Sequence, residues 1–144
     1  MAVVVALDQG TKTWAVHELK DGPVSIIGTD VELHLSFNAG GAFSLFRAFT
    51  PLLAFLAIVM AFVLVRAVRT ADDRFTVIAL ALVLGGALGN LADRAFRAPS
   101  FLSGRVVDFV KVGSFPTFNV ADSAITVGAV TLIVLAFLPR RRAP

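Results

Sequence analysis

The chain contains no cysteine. Disulfides, thiolate catalysis and cysteine-held metals are therefore excluded. Charge is also scarce. Asp, Glu, Lys and Arg make up 16% of the 144 residues, and they are clustered rather than spread. Histidine occurs only at His17 and His34, far apart and without an H-E-x-x-H motif, so the pattern of a zinc peptidase is missing. The amino terminus has no basic n-region and no small-residue cleavage site, and does not read as a removable signal peptide. Internal repeats and low-complexity stretches are absent. The net charge of +3 and pI of about 10.2 raise the question of nucleic acid. No basic stripe interleaves with aromatics, so a nucleic-acid partner is not expected.

Apolar residues are what the chain has in excess. They form 57% of it, with a mean hydropathy of +0.84. A soluble domain usually holds about 45–50%, so lipid is the expected solvent and residues 1–144 read as one membrane domain. Crossing a ~30 Å hydrocarbon layer takes roughly 20 helical residues. Four stretches approach that length: about Ala2 to Leu19, interrupted by Asp8 and Lys12; Phe49 to Val65, between Arg47 and Arg66; Phe75 to Ala92, between Arg74 and Asp93; and about Val120 to Leu138, before Pro139 and Arg140. Arg66, Arg69 and Arg74 fall between the second and third stretches, and Arg140, Arg141 and Arg142 lie in the tail. Arginine-rich connections face the cytoplasm, so both termini are expected inside and the segments 20–48 and 94–119 outside.

The first outer segment carries a second pattern. Val31, Leu33, Leu35 and Phe37 alternate with Glu32, His34 and Ser36, the period of a strand. Val24 to Ile27 is a shorter candidate, with Gly28, Thr29 and Asp30 as a turn. A small two-stranded sheet resting on the bilayer surface is predicted, since an isolated hairpin is marginal in water.

Ionisable groups in membrane helices cost at least ~2.5–3.5 kcal/mol on insertion scales, so Asp8, Lys12, Asp93, Arg94 and Asp122 each need a reason. Asp8 and Lys12 stand four apart in D-Q-G-T-K, acid before base, and share a helix face. They are either a self-neutralising pair that lets the helix insert or part of the site. Gly85 and Gly89 have the G-x-x-x-G spacing of close helix packing. Asn90, Asp93 and Arg94 then share one face near the outer end of the third stretch. Arg94 alone would pass for a snorkelling anchor, but three stacked polar groups argue for more. Asn119 and Asp122 look like an N-cap and capping box. Asp108, flanked by Val106, Val107 and Phe109, complicates that simple account. A carboxylate in such an apolar run is either buried and paired or functional.

Two carboxylates at one membrane face suggest acid–base chemistry with a shared proton. One would activate water, and the other would polarise a carbonyl and protonate a leaving amine. Spacing alone does not bring Asp108 and Asp122 together. A serine–lysine pair of Ser44 and Lys12 has no support from spacing. Two readings from other classes stay open, a small proton-coupled transporter and a non-catalytic tetraspan protein. The first would place its acids near the bilayer midplane, and the second would not need Asp108.

Five motifs in order cover nearly the whole chain: D-Q-G-T-K (Asp8–Lys12), N-A-G-G-A-F-S (Asn38–Ser44), G-G-A-L-G-N-L-A-D-R (Gly85–Arg94), V-V-D-F (Val106–Phe109) and F-N-V-A-D-S-A-I (Phe118–Ile125). Together they resemble the bacterial lipoprotein signal peptidases, also called signal peptidase II. The resemblance implies a mostly α membrane enzyme with four transmembrane helices and a small extracytoplasmic β-cradle. It implies an aspartyl endopeptidase of the bacterial cytoplasmic membrane, cutting prolipoproteins before a diacylglyceryl-modified cysteine at the outer face. The family's catalytic aspartates fall on Asp108 and Asp122. Its substrate-binding polar residues fall on Asn38, Asn90, Arg94 and Asn119, and its supporting positions on Asp8, Lys12 and Asp93. The resemblance further implies no metal or other cofactor, prolipoprotein substrates and membrane lipids as partners, a monomer, and sensitivity to globomycin. Two departures stand out. Gly41 replaces the usual alanine, loosening the turn after Asn38. Only seven residues precede Asp8, so a first helix truncated at its amino end, or a start upstream of Met1, is expected.

Overall fold

Residues 1–39 and 50–138 are described by a computed structural model. The rest of the N-A-G-G-A-F-S motif, with Gly41 and Ser44, lies outside the described residues, as do Arg47 and the tail arginines Arg140, Arg141 and Arg142. The elements run α1 (Ala2–Glu18), β1 (Val24–Ile27), β2 (Val31–Asn38), α2 (Thr50–Thr70), α3 (Arg74–Phe96), β3 (Val106–Val112) and α4 (Val120–Phe137).

Among the described residues three helices are long and apolar enough to cross a membrane. They are Pro51–Thr70, Arg74–Phe96 and Val120–Phe137, with mean hydropathies of 2.5, 2.0 and 2.1. Their outer faces leave large apolar side chains exposed, among them Phe55, Phe62, Ile78, Val130 and Ile133, as a lipid-facing surface does. The fourth expected span, α1, has 17 residues and is not in that set. Its ionisable groups Asp8 and Lys12 are fully buried, turned away from the surface.

The connection expected to carry three arginines is shorter than the sequence suggested. Arg66 and Arg69 belong to α2 and Arg74 opens α3. The helix α2 ends at Thr70, and α3 starts after Asp73, whose carboxylate accepts from the Thr76 amide at 2.8 Å as its N-cap. Arginine is a good helix former, so helix runs through Arg66 and Arg69.

The helix α3 is central and packs on α1, α2 and α4. The predicted role of Gly85 and Gly89 holds. A Cβ at Gly85 would come within 2.9 Å of Val4 Cβ, and one at Gly89 within 2.5 Å of the Asp8 carboxylate. Gly86 and Gly128 form a second seam, where a Cβ at Gly86 would collide with the Ala121 carbonyl and one at Gly128 would lie 2.6 Å from the Ala79 carbonyl. Small residues let these backbones approach, which lipid-embedded helices use in place of a hydrophobic driving force. Ala61, Leu64, Leu80 and Leu84 fill the contact between α2 and α3.

The sheet has three antiparallel strands, in the order β1-β2-β3, not the two predicted. The missed strand is β3. Its first four residues, Val106 to Phe109, are all buried, so it shows no polar alternation to read. Phe109 packs on Ala15 and Leu19 of α1 and meets Trp14 edge-on, with ring centroids 6.4 Å apart. Beyond β3 the chain doubles back. The Phe118 amide donates to the Val110 carbonyl at 3.0 Å, and its carbonyl accepts from the Phe109 and Val110 amides at 3.1 and 2.9 Å. This clamp sets the start of α4 beside the strand that carries Asp108.

Candidate active site

Asn119 caps α4. Its Oδ1 accepts from the Asp122 amide at 2.9 Å, and Asp122 Oδ2 accepts from the Asn119 amide at 3.2 Å. This is the capping box expected from the sequence. Each of the two side chains has atoms left over, and those atoms face the rest of the cluster. Asn119 Nδ2 donates to Asp108 Oδ1 at 2.7 Å, and also reaches the Val107 carbonyl and Asn90 Oδ1, both at 3.2 Å. Asp122 Oδ1 accepts from Asn90 Nδ2 at 2.8 Å. One asparagine therefore holds both carboxylates, Asp108 through its side chain and Asp122 through its backbone.

Asp108 is 3% exposed and sits on β3 across from Ser36. Its Oδ2 accepts from Asn38 Nδ2 at 3.2 Å. Burial first, and then the neighbouring charge of Asp122, push its carboxyl up to about 6, against the lowering pull of the Asn38 and Asn119 amides. Arg94 lies close enough for its charge to act on Asp108 and Asp122. Its Nη1 donates to the Asn90 carbonyl at 3.3 Å, while its Nε is buried with no partner among the described residues.

Behind this pair lies a buried ionic group. Lys12 Nζ contacts Asp8 Oδ2 at 2.8 Å, Asp93 Oδ2 at 3.0 Å and Asn90 Oδ1 at 2.8 Å. Asp8 Oδ1 accepts from the Ala121 amide at 2.9 Å, tying α1 to the first turn of α4. Asp93 Oδ2 accepts from the Val107 amide at 3.0 Å, tying α3 to β3. Asp93 Oδ1 takes Arg97 Nε at 2.7 Å. Two carboxylates thus meet two cations, the balance that buried charges require. Asp8 and Lys12 form the expected pair, and Lys12 also touches Asn90, which in turn donates to Asp122.

All nine sequence candidates join one hydrogen-bonded network. Sequence reasoning missed two members, Gln9 and Arg97. Gln9 Nε2 donates to Asp8 Oδ2, the Gly89 carbonyl and Asp93 Oδ1 at 3.2, 3.0 and 3.1 Å. It lies inside the D-Q-G-T-K motif, which offered the signal. Arg97 stands four residues after Asp93, the spacing of a helical ion pair. Among the described residues no group of three or more His, Asp or Glu could hold a metal ion. Lys12 is already committed to three partners, and Ser44, whose pairing with it the spacing did not support, lies outside the described residues.

A family model for signal peptidase (SPase) II matches residues 1–138. The chain belongs to the signal peptidase II family. It is 49% identical over 137 residues to a lipoprotein signal peptidase of Rhodococcus jostii, across 94% of this chain and 69% of that one. A lipoprotein signal peptidase of Mycobacterium leprae is 44% identical over 136 residues, across 94% and 68%. A bacterial membrane enzyme solved by the in meso method at 2.3 Å resolution superposes with a TM-score of 0.84 at 26% identity, covering 99% of this chain and 91% of that one. A second, at 1.9 Å resolution, gives 0.78 at 29% identity, covering 94% and 88%. Membership of the signal peptidase II family, with three apolar helices, makes this an integral membrane peptidase.

Proposed function

We propose that this signal peptidase II removes the signal peptide from prolipoproteins by cutting before the diacylglyceryl-modified cysteine, with Asp108 and Asp122 as its catalytic pair. The observation that carries this is the bridge through Asn119, which hydrogen-bonds both carboxylates at the start of a membrane helix. With one proton between them, the ionised member takes a proton from water as the hydroxide adds to the scissile carbonyl. The protonated member donates to the carbonyl oxygen, and a proton then passes to the departing amine. Arg94 suits the developing oxyanion, because its Nε is buried and has no partner among the described residues. Asn90 and Asn119 serve the carboxylates more than the substrate, since their amide nitrogens are already engaged.

In this reading α1 also crosses the membrane, its charges sheltered against α3, giving four spans in one domain. Both termini are cytoplasmic, and the site opens at the outer face of the cytoplasmic membrane. The substrate's lipid stays in the bilayer while its scissile bond meets water. The protein acts as a monomer. A transmembrane proton relay fits less well, because Asp108 sits on a strand and Asp122 in the first turn of α4 rather than at mid-helix. The test is cleavage of a lipidated prolipoprotein by the purified protein in detergent. A product cut anywhere other than before the modified cysteine, or no cut at all, refutes the proposal.

A further inference from the structure

A cavity of about 450 Å³ lies away from the catalytic pair, lined by Val16, Phe37, Arg97, Ala98, Pro99 and Arg105. Phe37 pairs with Val107, whereas Asp108 pairs with Ser36, so Phe37 and Asp108 project from opposite faces of the sheet. The loop that presents the two arginines is closed on the end of α3. The Gly104 amide donates to the Arg94 carbonyl at 3.0 Å and the Arg105 amide to the Ala98 carbonyl at 3.2 Å. Gly104 packs against the Asp93 and Arg97 carbonyls, where a side chain would collide. The spacing of Arg97 and Arg105 is therefore built into the backbone.

Charge and place narrow the occupant. Arg97 holds Asp93 through Nε, within the balanced set of Asp8, Asp93, Lys12 and Arg97. Arg105 is exposed and has no ion pair among the described residues, so its guanidinium is open to an anion at this cavity. Its other walls are apolar. It sits directly after α3, a span, and beside Phe96 and Phe101, which are 84% and 72% exposed. The end of a membrane span is where lipid headgroups are expected. The volume falls within the range of ligand cavities, roughly 300–1,000 Å³.

We propose that this cavity binds the phosphodiester headgroup of an anionic phospholipid, with Arg105 and the terminal nitrogens of Arg97 on the phosphate and Val16, Phe37 and Pro99 against the glycerol and first acyl carbons. A phosphodiester carries the single negative charge the cavity lacks, and guanidinium groups match its oxygens in pairs. Inorganic phosphate would meet the same arginines but leave the apolar walls unfilled. The uncharged diacylglyceryl group of a lipoprotein would leave Arg105 unmatched. The bound lipid would buttress α1, α3 and β2 beside Asp93 and set the depth of the site in the bilayer.

Native mass spectrometry of the full-length protein, released from nanodiscs of phosphatidylcholine with a minority of phosphatidylglycerol, tests this directly. One phosphatidylglycerol should be retained in preference to phosphatidylcholine. Arg105→Gln should lower that retention about tenfold, the loss of one charge-assisted hydrogen bond, and Arg105→Lys should recover part of it. Millimolar inorganic phosphate should not displace the lipid. Equal retention by Arg105→Gln, or no preference over phosphatidylcholine, overturns the proposal in favour of ordinary annular lipid. Displacement by inorganic phosphate overturns it in favour of a free-anion site, and displacement by a lipidated substrate peptide in favour of a substrate groove. Lipid retention is read without any cleavage step, so failure here leaves the catalytic proposal standing, and failure of cleavage leaves this one standing.

Discussion

Lys12 Nζ donates to Asn90 Oδ1 across 2.8 Å, and that contact sets which way round the Asn90 amide lies. An ammonium has no acceptor, so only the amide oxygen can face it. The amide nitrogen must then face Asp122, where it donates at 2.8 Å. A lysine on α1 thus orients a carboxylate on α4 through an asparagine on α3.

Asn90→Asp keeps the size of the side chain but cannot donate to Asp122. We expect kcat to fall about 10²–10³-fold, the usual cost of removing one donor to a charge in a reacting centre, with KM nearly unchanged. Steady-state kinetics on a lipidated prolipoprotein separates the cases. A raised KM with unchanged kcat would return Asn90 to the substrate-binding role that the family resemblance implies.

Lys12→Met should destabilise the fold by roughly 3–5 kcal/mol, because it leaves the buried Asp8 without its cation and Asp93 with Arg97 alone. Asp8 and Asp93 are both fully buried, so water cannot replace it. Adding Asp8→Asn should recover part of the loss. Unfolding in mixed detergent micelles measures both. An undiminished midpoint for Lys12→Met means the ionic group does not hold the helices together.

Asp108→Asn and Asp122→Asn should each abolish cleavage while leaving the protein folded. Asn119 remains to cap α4 in both, and an amide fills the space of either carboxylate. An amide cannot take up and return a proton in this way. The double variant should be little worse than either single one, because the two act as a unit. A folded single variant cleaving at the parent rate would falsify the aspartyl mechanism.

The raised carboxyl of Asp108 gives a pH signature with a definite sign. Its value in the folded protein is about 6 against an ordinary 3.8, so the folded state binds more protons between those values. Stability should fall as pH rises through that window, by on the order of 3 kcal/mol, and stay lowered above it. Asp108→Asn should remove the fall, leaving the variant more stable than the parent near pH 7. Cleavage should show a bell-shaped profile belonging to the pair, with its alkaline limb near pH 6. A parent whose unfolding midpoint is flat from pH 4 to 7 contradicts the raised carboxyl.

Much of the site was legible because polar groups are costly in lipid. Asp8, Lys12, Asp93 and Arg94 stood out against apolar runs, and helical spacing put them on shared faces. The capping box at Asn119 and Asp122 was legible for the same local reason, since its bonds span three residues. Arg97 was not singled out, because at a helix end it looks like one more flanking arginine.

The sequence by itself determined the solvent, the apolar helices, the glycine seam at Gly85 and Gly89, and the capping of α4. These rest on composition and short-range period, where each residue's preference is set within a few turns. Only the tertiary structure decided that β3 is a strand, that Phe118 clamps to it, and that Asp108 therefore meets Asn119. A strand covered on both faces loses the alternation that announces it, and a pairing between distant segments has no local signature. Whether a carboxylate on a strand and a carboxylate capping a helix share one asparagine is a matter of packing, and packing settles it.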